Sequence, residues 1–410
     1  MVNQERMVTD ILEAAPASAG SIMQKTMTLN LGPQHPSTHG VLRLVLELDG
    51  ETVVDCRPHI GYLHTGFEKN MEAKTYHKAI PYTDRMDYLS PLIYNVAYVM
   101  SVEKLCGIEI TPRCAWIRVL MSELQRIASH MVWYGTTGMD LGATTVFMYA
   151  FRDREDILNM FEEIGGQRLM TSYTRVGGLT ADLTPGFEDR CRKFLLQLLP
   201  KIDDYEALLT ENEVFKERTQ NVGVLSADDL IAMCVTGPTL RAAGVDWDLR
   251  RDNPYLIYDQ LDFKVAVAQG GDVYARYLVR MQEMRESVKI CLQVLDGMPG
   301  GEININDTRY RKPPKDTIML GMEELIYHFK ISTAGFPVPA GEVYCPVESS
   351  KGEMGFYIVS DGTGKPQRVR VRPPSFFNLQ ALPEMTKGRY IADVVALIGS
   401  IDIVLGEVDR

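Results

Sequence analysis

Alternating apolar and polar residues near the N-terminus predict a β-hairpin. Residues 41–48 and 51–56 have the two-residue period of strands, and the Asp49-Gly50 pair between them is typical of a tight hairpin turn. We therefore expect a small antiparallel β region over residues 25–65.

Apolar residues at helical spacing dominate residues 66–335 and predict long helices. One helix should begin at Thr111-Pro112, because proline is favoured at the first helical position, and another should begin after Gly271. A third helical pattern covers residues 187–209. The apolar stripes of the first two helices are formed by Ile117, Leu120, Met121, Leu124, Ile127, Ala128, Met131, Leu278, Met281, Val288, Leu292 and Leu295. Because such stripes must pack on one another, a helical bundle is predicted for the middle of the chain.

A β pattern returns in residues 336–410, which should form a C-terminal β-rich region and tail. Three strands are predicted, at 342–345, 355–360 and 367–372. Arginine alternates with valine in the last strand, so its arginines share one face, as suits a solvent-exposed or partner-facing edge. A short helix is expected near 392–399. Residues 1–24 have no sustained period and are expected to be a mobile or partner-bound tail. The fold class is therefore α+β.

Composition narrows the possible functions. The chain has 54 Asp and Glu against 43 Lys and Arg, a net charge of −11, and no long basic run. This argues against a nucleic-acid partner, because phosphate binding needs clustered cations. No apolar stretch reaches the roughly 18 to 20 residues of a membrane-spanning helix. The N-terminus lacks the apolar segment of a secretory signal, so a bacterial-type cytoplasm is the expected location.

The cysteines argue against a metal cluster in this chain. All seven are scattered and none forms a Cys-x-x-Cys pair, the usual core of thiolate zinc and iron–sulfur sites. The glycine-rich phosphate loops of common nucleotide sites are missing as well. We therefore expect reduced, mostly buried thiols, and a function without a tightly bound metal or nucleotide.

Four histidines lie close together in the sequence and are candidates for chemistry: His35, His39, His59 and His64. The spacing of His35 and His39 would suit a zinc pair on a helix, but prolines before and between them make a helix unfavourable. An irregular loop of this composition can instead present hydrogen-bond donors to a ligand. A structurally satisfied imidazole is the alternative for His39.

Two further segments combine several functional groups. Residues 85–89 (RMDYL) hold an arginine, a carboxylate and a phenol before an apolar helix. The alternative interpretation is a helix start, with Asp87 as a first-turn acid and Tyr88 as a core aromatic. Residues 133–142 (WYGTTGMDLG) contain glycines that are expected to break a helix, and Asp140 alone is typical of a cap or turn.

Five motifs follow one another along the chain: 32–40 (GPQHPSTHG), 59–69 (HIGYLHTGFEK), 85–89 (RMDYL), 374–380 (PSFFNLQ) and 406–410 (GEVDR). In this order they resemble the quinone-site D subunit of the proton-pumping NADH:quinone oxidoreductase, respiratory complex I. The resemblance extends from about residue 26 to the last residue. That family is similar to the large subunit of nickel–iron hydrogenases, so a hydrogenase-like fold is implied.

The likeness to hydrogenases can be examined at four positions. Where a hydrogenase has two pairs of cysteines for its metal, this chain has Asp87, Ser90, Val404 and Glu407. A soft nickel site cannot form without those thiolates. The resemblance therefore implies that the metal cavity has become a pocket for a quinone headgroup, with quinone as substrate and no cofactor held by this chain alone.

Catalytic roles in that pocket are implied for His39, Tyr88 and Asp140. The first two would hydrogen-bond the headgroup and give it protons, since a phenol stays protonated and an imidazole can release a proton near neutral pH. Asp140 would accept the other ring N–H of His39 and pass an electrostatic signal toward the proton pumps once His39 has lost its proton. The remaining pocket lining is implied to be His35, Thr136, Phe147 and Val404, and the C-terminal region and tail (336–410) are implied to close the pocket.

Electrons are implied to come from a [4Fe-4S] cluster in the adjoining B subunit of the complex. The residues implied to lie near that cluster are His64, Thr65, Arg85 and Met170. Thr65 replaces an arginine of some members and Met170 a histidine of many, so the cluster potential is expected to depend less on pH here. The implied partners are quinone and the B, C, I, A and H subunits of complex I, the last a membrane subunit with the quinone channel.

The implied location is peripheral, on the cytoplasmic side of the bacterial inner membrane. Three alternatives stay open from the sequence. They are the equivalent subunit of a ferredoxin-driven quinone oxidoreductase, a true hydrogenase large subunit, which the missing cysteines disfavour, and a purely structural scaffold.

Overall fold

A computed structural model describes residues 26–35 and 40–410; the predicted N-terminal tail and His39 lie outside them. The strands are β1 (Met27–Leu31), β2 (Arg43–Asp49), β3 (Thr52–His59), β4 (Thr174–Arg175), β5 (Gly178–Leu179), β6 (Gly341–Ser349), β7 (Gly352–Ser360) and β8 (Arg368–Arg372). The helices are α1 (Phe67–Glu72), α2 (Tyr76–Met86), α3 (Pro91–Cys106), α4 (Pro112–Asp140), α5 (Thr144–Gly165), α6 (Phe187–Leu209), α7 (Glu213–Thr219), α8 (Ala227–Ala232), α9 (Pro238–Arg241), α10 (Leu249–Asp252), α11 (Val273–Gly297), α12 (Met322–Thr333), α13 (Pro374–Gln380), α14 (Leu382–Thr386), α15 (Ile391–Ile401) and α16 (Leu405–Asp409). The fold is mixed helix and sheet, with small antiparallel sheets.

The N-terminal sheet has the strand order β1-β2-β3 and contains the predicted hairpin. Asp49 pairs with Thr52 across the turn. Along β2, Leu44, Leu46 and Leu48 are buried and the residues between them are partly exposed, so one face of the sheet packs on the protein. Strand β1, which pairs with β2, is an addition to the prediction.

The helical part is organised around α4, which has 29 residues. This helix packs against α3, α5 and α11, and its buried side chains join those of α5, α6 and α11 in one apolar cluster. The helices predicted at Thr111-Pro112, at residues 187–209 and after Gly271 are present as α4, α6 and α11. Their apolar stripes are the faces that meet in this cluster.

The helix break expected at the glycines of residues 133–142 is wrong. Helix α4 continues through Gly135 and Gly138 to its end. A Cβ on Gly138 would lie 2.7 Å from Val146 Cγ1, and one on Gly135 would lie 3.3 Å from Phe147 Cα. The two glycines therefore allow α5 to pack closely on the last turns of α4, a tertiary reason that local sequence does not reveal.

The C-terminal sheet has the order β6-β7-β8 and includes the three predicted strands, with β6 and β7 longer than expected. On the edge strand β8, Arg368 and Arg370 are exposed and alternate with buried valines, as predicted. The tip of the β6–β7 hairpin is unusual for a turn because it is both polar and fully enclosed. Its residues Glu348, Ser349, Ser350 and Lys351 are at most 1% exposed.

The C-terminal residues were expected to form a short helix and a tail, but they are packed into the protein. Helix α15 is followed by Asp402 in the left-handed region (φ 49°) and then by the buried helix α16. Gly406 lies so close to the end of α2 that a Cβ on it would be 2.6 Å from Met86 O. In the described part of the chain, no helix is long and apolar enough to cross a membrane.

Candidate functional site

The turn between α2 and α3 holds Tyr88. Asp87 Oδ1 accepts hydrogen bonds from the backbone N–H groups of Leu89 (3.0 Å) and Ser90 (3.2 Å), and α3 then begins at Pro91. Asp87 therefore stabilises a turn between two helices and does not lie in the first turn of a helix, as the alternative interpretation expected. Tyr88 is half-buried, and within the described residues its hydroxyl has no hydrogen-bond partner.

Carboxyl groups and one lysine surround this turn. Lys351 Nζ lies 3.1 Å from Asp87 Oδ2 and 3.9 Å from Asp402 Oδ2, and all three residues are buried. Burial, together with the nearby carboxylates of Asp87, Asp402 and Glu407, raises the pKa of Tyr88 to about 12. The phenol therefore stays protonated at any physiological pH and can act as a hydrogen-bond donor. We call these five residues the site floor.

Glu407 is the site-floor carboxyl that no cation pairs with at close range in the described part of the chain. The hydroxyls of Tyr94 and Ser375 donate hydrogen bonds to it, and the Ser375 N–H donates a third at 3.3 Å. Burial, and then the negative charge of Asp87, raise the pKa of Glu407 well above its usual range. Burial beside a negative charge thus favours the protonated form of this carboxyl group.

The four positions at which the resemblance to hydrogenases implies lost cysteines, Asp87, Ser90, Val404 and Glu407, lie in or beside the site floor. Asp87 and Ser90 lie in the same turn, and Ser90 Oγ is 2.6 Å from Ser350 Oγ on the buried hairpin tip. Ser375 joins the other two positions, because its hydroxyl donates to Glu407 and accepts from the Val404 N–H at 3.2 Å. Val404 is 1% exposed and packs in the protein interior. Across the residues that the structure describes, no group of three or more His, Cys, Asp or Glu could hold a metal ion.

Asp140, Thr136 and Phe147 lie elsewhere, where α4 ends and α5 begins. Asp140 is partly exposed, its pKa is raised by burial, and the nearby His35 opposes that rise. Thr136 donates its hydroxyl to Val132 O at 2.9 Å, and the ring of Phe147 stacks on the next turn of α5. We call His35, Thr136, Asp140 and Phe147 the site rim.

The site floor and the site rim are at different levels along α4. Lys351 Nζ donates to Ser129 Oγ at 3.1 Å, and Ser129 is eleven residues before Asp140 in the same helix. That separation corresponds to about 16 Å along the helix axis. The structure therefore places Tyr88 in one group with Glu407 and Val404. Asp140 and His35 form a second, separate group. His39, which was expected to connect them, lies outside the described residues.

The loop of His64 and Thr65 is held by the C-terminal segment. His64 Nδ1 lies 2.7 Å from Asp409 O, and the Asp409 carboxylate accepts the N–H groups of Gly61 (2.8 Å) and Leu63 (2.6 Å). His64 and Thr65 are both exposed. The C-terminal segment of the same chain thus holds this loop in place, and the side chains of His64 and Thr65 remain exposed.

Arg85 and Met170 are connected through α2. Arg85 is exposed, whereas its neighbour Asp84 is fully buried and accepts from Asn95 Nδ2 at 2.6 Å. The hydroxyl of Ser172, two residues after Met170, also donates to the Asp84 carboxylate. The segment after Met170 is therefore tied to the helix that carries Arg85.

Sequence reasoning did not identify Lys351 or Asp402 as site residues. Neither residue belongs to a sequence motif that indicates a catalytic or binding role. Each lies at the site because of a tertiary contact. One local signal was available: Glu348-Ser-Ser-Lys351 is polar but joins two strands that bury apolar residues, and the tip itself is buried. Open cavities of about 410 and 560 Å³ lie away from the site floor, near Tyr149 and Cys345 respectively.

Comparison of the sequence with known proteins shows that the chain is similar to one family. The family model described as "Respiratory-chain NADH dehydrogenase, 49 Kd subunit" matches residues 140–410. The chain is 56% identical to the D 2 subunit of the NADH-quinone oxidoreductase of Koribacter versatilis, over 98% of both chains. It is 54% identical to the D subunit of the NADH-quinone oxidoreductase of Geobacter sulfurreducens, over 94% of this chain and 98% of that one.

Proposed function

Because the chain belongs to the family of the respiratory-chain NADH dehydrogenase 49 kDa subunit, we propose that its site floor and site rim form the quinone headgroup pocket of that enzyme. The chain is a quinone-reducing subunit of an NADH:quinone oxidoreductase, a multisubunit enzyme of respiratory electron transport. The neighbouring B subunit, which carries a [4Fe-4S] cluster, completes the pocket and supplies the electrons.

The observation that carries the proposal is the state of Tyr88. Its phenol is half-buried, stays protonated because its pKa is raised to about 12, and has no partner for its hydroxyl within the described residues. A partly buried donor whose hydroxyl has no partner in the chain is available to bind an acceptor group on a ligand. A quinone carbonyl oxygen is an acceptor of the right kind, and it becomes a stronger acceptor as the ring is reduced.

Reduction of a quinone to a quinol takes two electrons and two protons, one for each carbonyl oxygen. Tyr88 donates its phenolic proton to one oxygen, and His39 donates an imidazolium proton to the other. The electrons come from the cluster of the neighbouring subunit. Tyr88 is supported as one proton source by the structure of the turn between α2 and α3, whereas His39 is assigned by family membership alone.

Asp140 senses the protonation of His39. It accepts a ring N–H of that histidine, which fixes the tautomer and stabilises the cation. When His39 loses its proton to the quinol, the carboxylate of Asp140 is left less compensated, and this change is the signal passed to the proton-pumping membrane subunits. The partial burial that raises the pKa of Asp140 supports this role, because its charge is sensitive to a neighbouring imidazole.

The exposed side chains of His64, Thr65 and Arg85, with Met170 beside them, form the face for the cluster-bearing B subunit. The C, I and A subunits complete the peripheral assembly, and the H subunit in the membrane brings quinone to the site rim. The assembly lies on the cytoplasmic side of the cell membrane. The convergence of Asp87, Ser90, Val404 and Glu407 supports a hydrogenase-like fold in which the metal has been replaced by the quinone site.

Two variants test the quinone pocket. Tyr88→Phe removes the phenolic proton but keeps the ring, so quinone reduction should fall by about a hundredfold, the usual contribution of one general acid. His39→Ala should have an effect of similar size. Both are to be measured in membranes that contain the assembled complex, with reduction of the iron–sulfur clusters by NADH followed separately.

Tyr390→Phe is a suitable control, because Tyr390 is exposed and far from the turn of Tyr88 in the sequence. Cluster reduction should be normal in all three variants. If Tyr88→Phe and His39→Ala assemble and reduce quinone at the normal rate, the chain is a structural scaffold and the proposed pocket is wrong.

A further inference from the structure

The site floor contains more carboxyl groups than its lysine can neutralise. Lys351 is the cation at ion-pair distance from Asp87 and Asp402, at 3.1 and 3.9 Å, and all of these groups are buried. Asp402 Oδ2 is buried and lacks a hydrogen bond among the described residues. Arg280 acts on Asp402 and Arg410 acts on Glu407 from longer range, so cations compensate the three buried carboxyl groups only in part, which favours a bound proton among them.

Glu407 is the best placed of the three carboxyls to hold such a proton. It is fully buried, and its contacts are neutral hydroxyl groups, from Tyr94 on α3 and Ser375 on α13, with one backbone N–H. The charged or titratable groups that face it are Asp87 and Tyr88 from the turn between α2 and α3, and Arg410 from its own segment. Arg410 makes its closest ion pair, at 3.9 Å, with Glu68.

The floor also links Glu407 to Tyr88 electrostatically. Asp87, Asp402 and Glu407 all act on the Tyr88 phenol. A phenolate at Tyr88 would therefore lie among carboxyl groups of the same sign, and it would take up a proton at once from any acid within reach. After a turnover that removes the Tyr88 proton, the site floor therefore needs a proton donor that can reprotonate the phenolate.

We propose that Glu407 is a proton store that returns a proton to Tyr88 after each quinone reduction. The proposal rests on the proposed function of Tyr88 and adds the source of its proton. Tyr88 gives its proton to the reduced quinone oxygen and becomes a phenolate. The carboxylic acid of Glu407 then gives its proton to the phenolate, directly or through a water molecule. The new carboxylate accepts hydrogen bonds from the hydroxyls of Tyr94 and Ser375 and is partly compensated by Arg410. A proton from solvent restores the acid before the next turnover.

The experiment is a single-turnover measurement on the assembled complex carrying Glu407→Gln. Glutamine keeps the size and can still accept from the two hydroxyls, but it cannot release a proton. After the clusters are reduced with NADH, the complex is mixed with a short-chain quinone. The first quinol should form at the wild-type rate, because Tyr88 and His39 still carry their protons. Later turnovers should be at least tenfold slower.

Infrared difference spectroscopy gives a second readout that does not depend on this variant. Quinone reduction in the wild-type complex should produce a loss of the carbonyl band of a protonated carboxyl group. The same loss should be absent in Tyr88→Phe, where no phenolate needs a proton. Glu384→Gln, at an exposed position on α14, is the matched control and should behave as wild type in both measurements.

The outcomes separate the proton store from the quinone pocket. If Glu407→Gln slows the first and later turnovers equally, Glu407 has only a structural role. If it slows neither, or if the wild-type spectrum lacks the carboxyl signal, Glu407 does not supply the proton. A normal first turnover in Tyr88→Phe would instead contradict the role of Tyr88, and with it the proposed function.

Discussion

The site floor and the site rim are built in opposite ways, although both belong to one quinone site in the proposed function. The floor brings together residues from the α2–α3 turn, the β6–β7 hairpin tip and the C-terminal segment, and its charged side chains are almost completely buried. The rim comes from the junction of α4 and α5 and from His35, and it is partly exposed. Met139, Met148 and Tyr149 beside it are exposed as well.

In the proposed function, this difference separates the part of the site that the chain orders by itself from the part that neighbouring subunits would complete. Each floor residue has contacts within the chain that set its orientation, so proton chemistry there is preorganised. The rim has a well-packed backbone but open side chains, as expected for a place where a ligand enters between subunits. Changes in the floor should therefore alter stability and the supply of protons for quinone reduction, whereas changes in the rim should alter quinone binding.

The largest effect is expected from Lys351→Met, which would remove the lysine that forms ion pairs in the site floor. The substitution keeps the volume but leaves the carboxylates of Asp87 and Asp402 without their cation. Removing one partner of a buried ion pair costs about 3–5 kcal/mol. The thermal denaturation midpoint of the complex should fall clearly, and quinone reduction should fall at least tenfold because the turn of Tyr88 is no longer held.

Lys365→Met is the control, since Lys365 is exposed in the turn before β8. It should change neither the denaturation midpoint nor the rate of quinone reduction. Normal activity and stability in Lys351→Met would mean that the floor tolerates an unpaired carboxylate, and the contrast with the rim would lose its electrostatic basis.

An intermediate effect is expected from Gly138→Ala, which acts on the rim. The new methyl group would lie 2.7 Å from Val146 Cγ1, so α5 must move away from α4, and Phe147 moves with it. Overpacking of this kind costs about 1–3 kcal/mol. The KM for quinone should rise several-fold in steady-state kinetics, with a smaller change in kcat.

The double variant Gly138→Ala with Val146→Ala provides the matched test, because it removes the side chain that the methyl group would meet. It should recover part of the wild-type KM. If Gly138→Ala instead lowers kcat and leaves the KM unchanged, the rim acts on the chemical step and the division of roles between rim and floor is wrong.

The same contrast explains what could be predicted from the sequence. The hairpin at Asp49-Gly50, helix α6 and the alternating strand β8 depend on local periods and turn residues, and all were predicted. The continuation of α4 through Gly138 depends on contact with Val146, and the position of Lys351 depends on the burial of a polar hairpin tip. Contacts between residues so far apart in sequence have no local signature, so the floor was identified only at Tyr88 and, through the likeness to hydrogenases, at Asp87 and Glu407.

The smallest effect is expected for the pH dependence of stability, compared between the wild type and Glu407→Gln. It is also the most specific test of the site floor. The pKa of Glu407 is raised in the folded protein, so above the pH at which the unfolded chain ionises, near 4.5, folding must retain a proton that the unfolded chain would release. The wild type therefore loses stability relative to the glutamine variant as pH rises from 6 to 7, by at most about 1.4 kcal/mol. Thermal denaturation of both complexes at pH 6 and pH 7 measures this, and the advantage of the variant should be larger at pH 7. A difference that stays constant would mean that Glu407 is ionised in the folded protein, and the floor would then hold its negative charge rather than a proton.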